Sequence, residues 1–244
     1  MTLILTRIAR DGIVMAADSA ITEEYGESIR ILHGAKKLIP NEASGSCIGT
    51  WGGGVVPHPE IGRAPIPVEF AVSSFLRQES GIRFGRELVR RLAEWLGETY
   101  CANRDFIGLD ISSVRPEKDI NLPAVYRLTN AEAPDRPLSR FFRLHVLREP
   151  AAYDAHVDQT IIPAGDRNAW EWVKQYHTAL RHANDRTGRD PLPDDINGLV
   201  RWLPSIVRAV SDAYRSLEIG ESIGGPVLTA AIRSADGTIL ARNS

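Results

Sequence analysis

The sequence predicts an α+β protein in four layers, αββα, with two antiparallel sheets packed face to face and helices on both outer sides. Two observations carry this. Asp11-Gly12 lies between the apolar runs of residues 3–9 and 13–17, a strong short-range signal for a tight hairpin, because Gly tolerates the positive φ that such turns demand. The remaining elements fall in blocks of strands, two helices, strands, two or three helices, and strands. Hairpin-connected strands in blocks, separated by helix pairs, fit antiparallel sheets with helices outside.

Taken in order, the chain opens with a strand, folds back at Arg10-Asp11-Gly12 and ends its return strand at Asp18. Within a residue or two of register, that hairpin lays Thr2 beside Asp18. Ala35 to Ile39 reads as a short strand ended by Pro40, and Ser46 to Trp51 as another running into Gly52-Gly53-Gly54. Three glycines after an apolar strand leave backbone N–H groups uncovered for a ligand. Val55 to Pro67, with its four prolines, reads as an ordered loop or insertion. Val68 to Gln78 suits a helix with Phe70, Ala71, Ser74 and Phe75 on one stripe, and Ile82 to Tyr100 a longer one on Leu88, Val89, Leu92 and Leu96.

The second half begins with strands at Phe106–Val114, Ala124–Leu128, Phe141–Leu147 and Gln159–Ile162. Helical spacing returns at Trp170, Val173, His177 and Leu180, and again at Ile196, Leu199, Val200 and Leu203. Pro204 either kinks that helix or starts a fresh one carrying Val207, Val210, Tyr214 and Leu217. Strands at Pro226–Arg233 and Thr238–Arg242, hinged at Asp236-Gly237, close the chain. A single domain over residues 1–244 is expected, with excess length near 55–66 and 103–156.

Composition narrows the function classes. With 244 residues, 43% hydrophobic and 25% charged, the chain can bury a full core. A net charge of −2 with interleaved signs argues against a nucleic-acid surface. Cys47 and Cys101 are too few and too far apart for a disulfide framework or a metal site, and His177 and His182 fall on different helical faces. No metal and no cofactor is expected. Arg7, Arg10 and Asp11 interrupt the N-terminal apolar runs, and no stretch of about 18 apolar residues exists, so neither a signal peptide nor a membrane span is predicted. A cytoplasmic protein is expected.

Four pieces in order carry a resemblance: the Thr2 start, Asp11-Gly12-Ile13-Val14-Met15-Ala16-Ala17-Asp18-Ser19, Lys36-Lys37, and Gly49-Thr50-Trp51-Gly52-Gly53. Together they resemble the opening of a proteasome β-type subunit, one of the N-terminal nucleophile (Ntn) hydrolases, a group that includes bacterial proteasome-like relatives. The match covers roughly residues 2 to 54, with a weaker echo at Ser222-Ile223-Gly224-Gly225-Pro226. The resemblance implies the Ntn-hydrolase fold and a threonine-type peptidase. It gives Thr2 the role of nucleophile once Met1 is removed, Lys37 that of a cation beside it, Asp18 that of the lysine's partner, and the Gly53 N–H that of oxyanion donor.

The chemistry suits those residue types. A hydroxyl attacks poorly until a base takes its proton. A terminal α-amine, with a pKa of about 8 against about 10.4 for lysine, is the better base at neutral pH. A lysine cation nearby pushes amine and hydroxyl toward their deprotonated forms, and an N–H facing the developing oxyanion stabilises it. Each residue also has an ordinary reading: a start context for Thr2, a turn for Asp18, a solvated strand edge for Lys36-Lys37, a flexible turn for the glycines. Their joint order favours the functional one.

The chain also departs from the family. Ala164 stands where relatives carry Ser, and Gly220-Glu221-Ser222-Ile223 offers neither the Asp nor the Ser that relatives carry three apart in register; Glu221, Ser222 and Asp166 are the available substitutes. The expected function is hydrolysis of a peptide or protein amide by Thr2 in a self-associating ring, with an ATP-dependent unfoldase as a possible partner and neither nucleic acid nor membrane involved. Acyl transfer to an amine by a ligase or transpeptidase, action on a small-molecule amide, and a catalytically silent ring-forming subunit are the alternatives.

Overall fold

The computed structural model describes residues 2–25, 28–56, 58, 63–79, 81–82, 85–99, 106–117, 120–130, 142–148, 161–187, 193–217 and 223–243. Among the described residues it is a mixed α/β protein with antiparallel sheets and four α-helices. In chain order the elements are β1 (Leu3–Ala9), β2 (Gly12–Ala17), β3 (Ile21–Tyr25), β4 (Ser28–Leu32), β5 (Leu38–Asn41), β6 (Ser46–Gly52), β7 (Val55–Val56), β8 (Ile66–Pro67), α1 (Val68–Gln78), α2 (Gly85–Thr99), β9 (Ile107–Glu117), β10 (Ile120–Thr129), β11 (Arg143–Arg148), β12 (Ile162–Gly165), α3 (Arg167–Thr187), α4 (Ile196–Ser216), β13 (Leu228–Arg233) and β14 (Ile239–Asn243).

One sheet has the order β12-β1-β2-β13-β14 and the other β11-β10-β9-β6-β5, with every pair antiparallel. The opening hairpin forms with Ile4 opposite Ala17 and Ala9 opposite Gly12, so its turn residues are Arg10 and Asp11. Gly12 therefore serves a different need from the one that predicts it. It lies in a central strand, where a Cβ would stand 2.0 Å from the Ile232 carbonyl oxygen. Asp11 reaches onward from the turn, its Oδ1 accepting the Ile196 N–H at 2.8 Å at the start of α4, where Asp195 also caps the Gly198 N–H at 2.6 Å.

Three apolar clusters hold the elements together. Leu88, Val89, Leu92 and Leu96 of α2 and Val68, Ala71, Val72 and Phe75 of α1 pack with Ile48, Ile107, Leu109, Ile111 and Tyr126 of the second sheet. Leu3, Leu5, Val14 and Ala16 of the first sheet pack with Leu199, Leu203, Val207 and Tyr214 of α4 and with Val173 of α3. A third cluster draws on both sheets, joining Ile4, Met15, Ala17 and Ala230 to Leu38, Cys47 and Val114. Alternation along β1 explains the division: Leu3 and Leu5 point one way and Ile4 the other.

Several elements differ from expectation. Phe70 is 57% exposed, and α1 buries the i, i+3, i+4, i+7 set Val68, Ala71, Val72 and Phe75 instead. Trp170 is likewise exposed, with Ala169 and Val173 taking the inner face of α3. Pro204 starts no fresh helix: it lies inside α4, which runs from Ile196 to Ser216. The proline side chain is itself buried, and the Ser205 hydroxyl donates to the Trp202 carbonyl at 2.7 Å in the turn the proline disturbs. Pro40 lies within β5, an edge strand, where a missing N–H is tolerated. The β3–β4 hairpin has no counterpart in the expectation. Near 55–66, Val55 pairs with Pro67 and Val56 with Ile66 in the short ladder β7–β8. Within 103–156, β9, β10 and β11 supply strands of the second sheet. The expected strand start at Gln159 lies outside the described residues, and β12 begins at Ile162.

Candidate active site

The hairpin register brings the start of β1 to the end of β2. The Asp18 N–H donates to the Leu3 carbonyl at 3.1 Å, and the Leu3 N–H returns a bond to Asp18 Oδ1 at 2.8 Å. Thr2, 7% exposed, is thereby placed next to Asp18, as the hairpin predicts. On its other side Thr2 is held by the β12–α3 junction. Its carbonyl accepts the Asp166 N–H at 2.7 Å, and Gly165, at φ +100°, passes so close that a Cβ there would lie 1.9 Å from the Thr2 oxygen. Glycine is required at 165 both by its φ and by this approach.

Asp18 is fully buried and heavily bonded. Lys37 Nζ lies 3.0 Å from each carboxylate oxygen. Oδ2 also accepts the Ala20 N–H at 3.1 Å and the Gly224 N–H at 3.3 Å. Gly224 brings the C-terminal Gly-Gly echo onto Asp18 from across the chain, and its carbonyl accepts the Ser19 N–H at 3.0 Å. A carboxylate taken out of water in an ion pair also needs its remaining acceptor capacity filled, and these main-chain donors supply that for Asp18. Lys37 is 3% exposed. Burial pulls its pKa below the ordinary lysine range, opposed by the charge and hydrogen bond of Asp18 and by the charge of Glu69.

A cleft lined by Thr2, Lys37, Thr50, Glu69 and the Trp51–Gly54 wall opens here. The β5–β6 register, Leu38 opposite Gly49, sets Lys37 across from Thr50, whose N–H donates to the Lys37 carbonyl at 2.9 Å. Gly53 lines this cleft, but its N–H donates to the Phe106 carbonyl. An oxyanion role requires that peptide to turn. Beside the cleft lies a cavity of about 540 Å³ lined by Leu38, Ile39, Pro67 and Phe70, with Ile21 and Glu69 shared between the two.

Glu69 is a site residue that motif and spacing leave unmarked. It occupies the first turn of α1, where an acidic residue is ordinary helix chemistry. Only the packing of α1 against β6 reveals that it faces the cleft, taking the Thr50 hydroxyl at 3.3 Å. Burial raises its pKa, opposed by its own main-chain N–H, the Thr50 hydroxyl and the Lys37 charge. Asp166 is drawn into a different task. Its Oδ1 caps α3 through the Asn168 and Ala169 N–H groups at 2.7 and 2.9 Å, and accepts the Tyr214 hydroxyl at 2.9 Å. Burial and that carboxylate together push the Tyr214 phenol upward. Ala164, on β12, pairs with Ile4 of β1, while Glu221 and Ser222 lie outside the described residues. Among the described residues, no three His, Cys, Asp or Glu side chains cluster as a metal site would need, and no helix is long and apolar enough to cross a membrane.

No protein-family model and no curated protein matches the chain. Among solved structures, the Anbu (Gly-1) mutant from Hyphomicrobium sp. strain MC1 is similar over 100% of this chain and 87% of its own, with a TM-score of 0.57 and 11% identity. At that identity the likeness concerns the fold, and the fold of this chain is proteasome-like.

Proposed function

We propose that this protein is a threonine-type amide hydrolase in which Thr2, freed of Met1, is the nucleophile. The observation that carries the reading is the buried Asp18–Lys37 pair, bonded at 3.0 Å to both oxygens, on the cleft that Thr2 lines. An ammonium closed off from water acts over a short distance with little screening, so it favours the neutral amine and the ionising hydroxyl of an exposed Thr2 terminus. The freed amine takes the hydroxyl proton as Oγ1 attacks the amide carbon. The tetrahedral intermediate then expels the substrate's amine, which leaves with the proton handed on by the Thr2 α-amine, and an ester on Thr2 remains. Water, deprotonated by the Thr2 α-amine, attacks the ester carbonyl, and the α-amine returns that proton to Oγ1 as the acid leaves, regenerating Thr2. The cavity beside Glu69 suits a substrate side chain next to the scissile bond.

The wider reading follows the proteasome-like fold. Clusters that join α1 and α2 to the second sheet, the two sheets to each other, and the first sheet to α3 and α4 support a four-layer Ntn-hydrolase arrangement, which we read as a single domain over residues 1–244. The substrate is a peptide or protein, the protein self-associates into a ring, and its place is the cytoplasm. Thr2→Ala tests the catalytic claim: turnover of a peptide amide and labelling by an electrophile should vanish while the fold is retained, and undiminished turnover would remove Thr2 from the mechanism.

A second reading, a ring-forming subunit without catalysis, is favoured by one observation: the Gly53 N–H is engaged by the Phe106 carbonyl instead of facing the cleft. Labelling of wild-type Thr2 by the same electrophile separates the two.

A further inference from the structure

The candidate site is assembled from both sheets. Thr2 and Asp18 stand at the ends of β1 and β2, with Gly165 and Asp166 at the end of β12 held against the Thr2 carbonyl, whereas Lys37 precedes β5, and Thr50 and the glycine wall lie at the end of β6 and just beyond it. Apolar packing is non-directional and by itself leaves their separation loosely set. A polar cluster crosses between the sheets at this end. Asp110 on β9, fully buried, accepts Arg127 Nε at 2.7 Å and Nη2 at 2.8 Å, and the Trp51 indole N–H at 3.1 Å. The same Nη2 donates to the Pro163 carbonyl of β12 at 2.8 Å.

Trp51 is locked in turn. Its ring centroid lies 5.1 Å from the Arg127 guanidinium carbon and 5.0 Å from the Phe106 ring, which it meets edge-on. The indole also occupies the space a side chain on Gly108 would need, 2.2 Å from the Cβ position. Phe106 is the residue whose carbonyl holds the Gly53 N–H. One guanidinium thus touches the strand whose end, Gly165, abuts Thr2, and, through Trp51 and Phe106, the wall carrying Gly53.

Stability alone does not call for this arrangement, since a well-packed apolar group of similar volume often does as well as a buried ion pair. The planar fork of arginine contributes fixed angles and distances. We infer that Asp110 and Arg127, acting through Trp51 and Pro163, are positioning residues that hold the Thr2 strand pair at its working distance from the Gly52–Gly54 wall, and so set the rate of acyl transfer at Thr2. This rests on the reading of Thr2 as nucleophile.

Arg127→Lys, made in the full chain, keeps the charge and loses the fork. Two readouts keep the inference apart from its foundation. In the free protein, amide hydrogen exchange at Asp166 and Gly53 is expected to quicken by about tenfold or more, while amides of β2 are unchanged. Labelling of Thr2 by a threonine-directed electrophile, resolved into binding and inactivation, is expected to show kinact reduced by about 10- to 100-fold with KI within about twofold and the pH profile unshifted. Unchanged exchange and unchanged kinact overturn the inference, as does faster exchange throughout the protein, which would mark a purely structural role. If wild type fails to label while exchange quickens only at Asp166 and Gly53, the positioning stands and the nucleophile reading falls. Should Arg127→Lys not fold, Trp51→Phe removes the indole N–H and leaves the fork intact. It is expected to quicken exchange at Gly53 and lower kinact with Asp166 unaffected; no change in either overturns the inference.

Discussion

Lys37 Nζ stands 3.0 Å from both carboxylate oxygens of Asp18, and both side chains are buried. Removing one partner strands a charge in the interior. Lys37→Met is expected to cost about 3–5 kcal/mol in urea unfolding. Asp18→Asn combined with Lys37→Met is expected to lose less than the sum of the single changes, because the second removes the charge the first left unpaired. Additive losses would show that the pair does not act as a unit.

Two glycines with nearly the same φ separate backbone strain from crowding. Gly34, at φ +99°, has nothing within 4 Å of the place a methyl would occupy, whereas at Gly165, φ +100°, that methyl meets the Thr2 carbonyl. Gly34→Ala is expected to cost about 1–2 kcal/mol, the strain of a left-handed backbone. Gly165→Ala is expected to cost more and also to depress Thr2 labelling. Equal effects of the two changes would mean that the Gly165 approach does not fix Thr2.

Glu69 makes stability depend on pH with a definite sign. Its folded pKa is raised by burial, so between the ordinary glutamate value and the raised one the native state holds more protons than the unfolded state. Stability from this group is complete below the ordinary value and is lost as pH rises through the folded value. Glu69→Gln removes that dependence. The Tm difference, variant minus wild type, is therefore expected to be more positive at pH 8 than at pH 4. A difference that falls with pH would contradict the assignment.

Cys47 is fully buried in the cluster shared by the two sheets, and burial pushes its thiol up to about 12. Roughly one thiol in ten thousand is then ionised at pH 8. Peptide mapping after iodoacetamide treatment is expected to find Cys47 unmodified in the native protein and modified in urea. Native-state modification at this residue would show that the shared cluster opens.

How much of this was legible in the sequence follows from the range of each interaction. The opening hairpin, the apolar stripe of α2 and the bounds of α1 are local, and turn chemistry or helical spacing marks them. The approach of Thr2 to Asp18 was legible because a hairpin converts sequence distance into register. Local pattern failed where two assignments share one composition. Phe70 and Phe75 both suit an apolar helix face, yet only Phe75 is buried. Gly12 marked the right hairpin for a reason the structure replaces, the nearby Ile232 carbonyl. Glu69, Asp110 and Arg127 carry no motif at all. Their partners Thr50, Trp51 and Pro163 lie 19 to 59 residues away, and only tertiary packing brings them together.

The central claim is that a chain terminus at Thr2 is the attacking group. Intact mass of the wild-type protein, before and after reaction with a threonine-directed electrophile, tests it most directly. The expected result is a chain that has lost Met1 and gains one probe, located by fragmentation to Thr2. An active protein that retains Met1, or a probe carried on another residue, would contradict it.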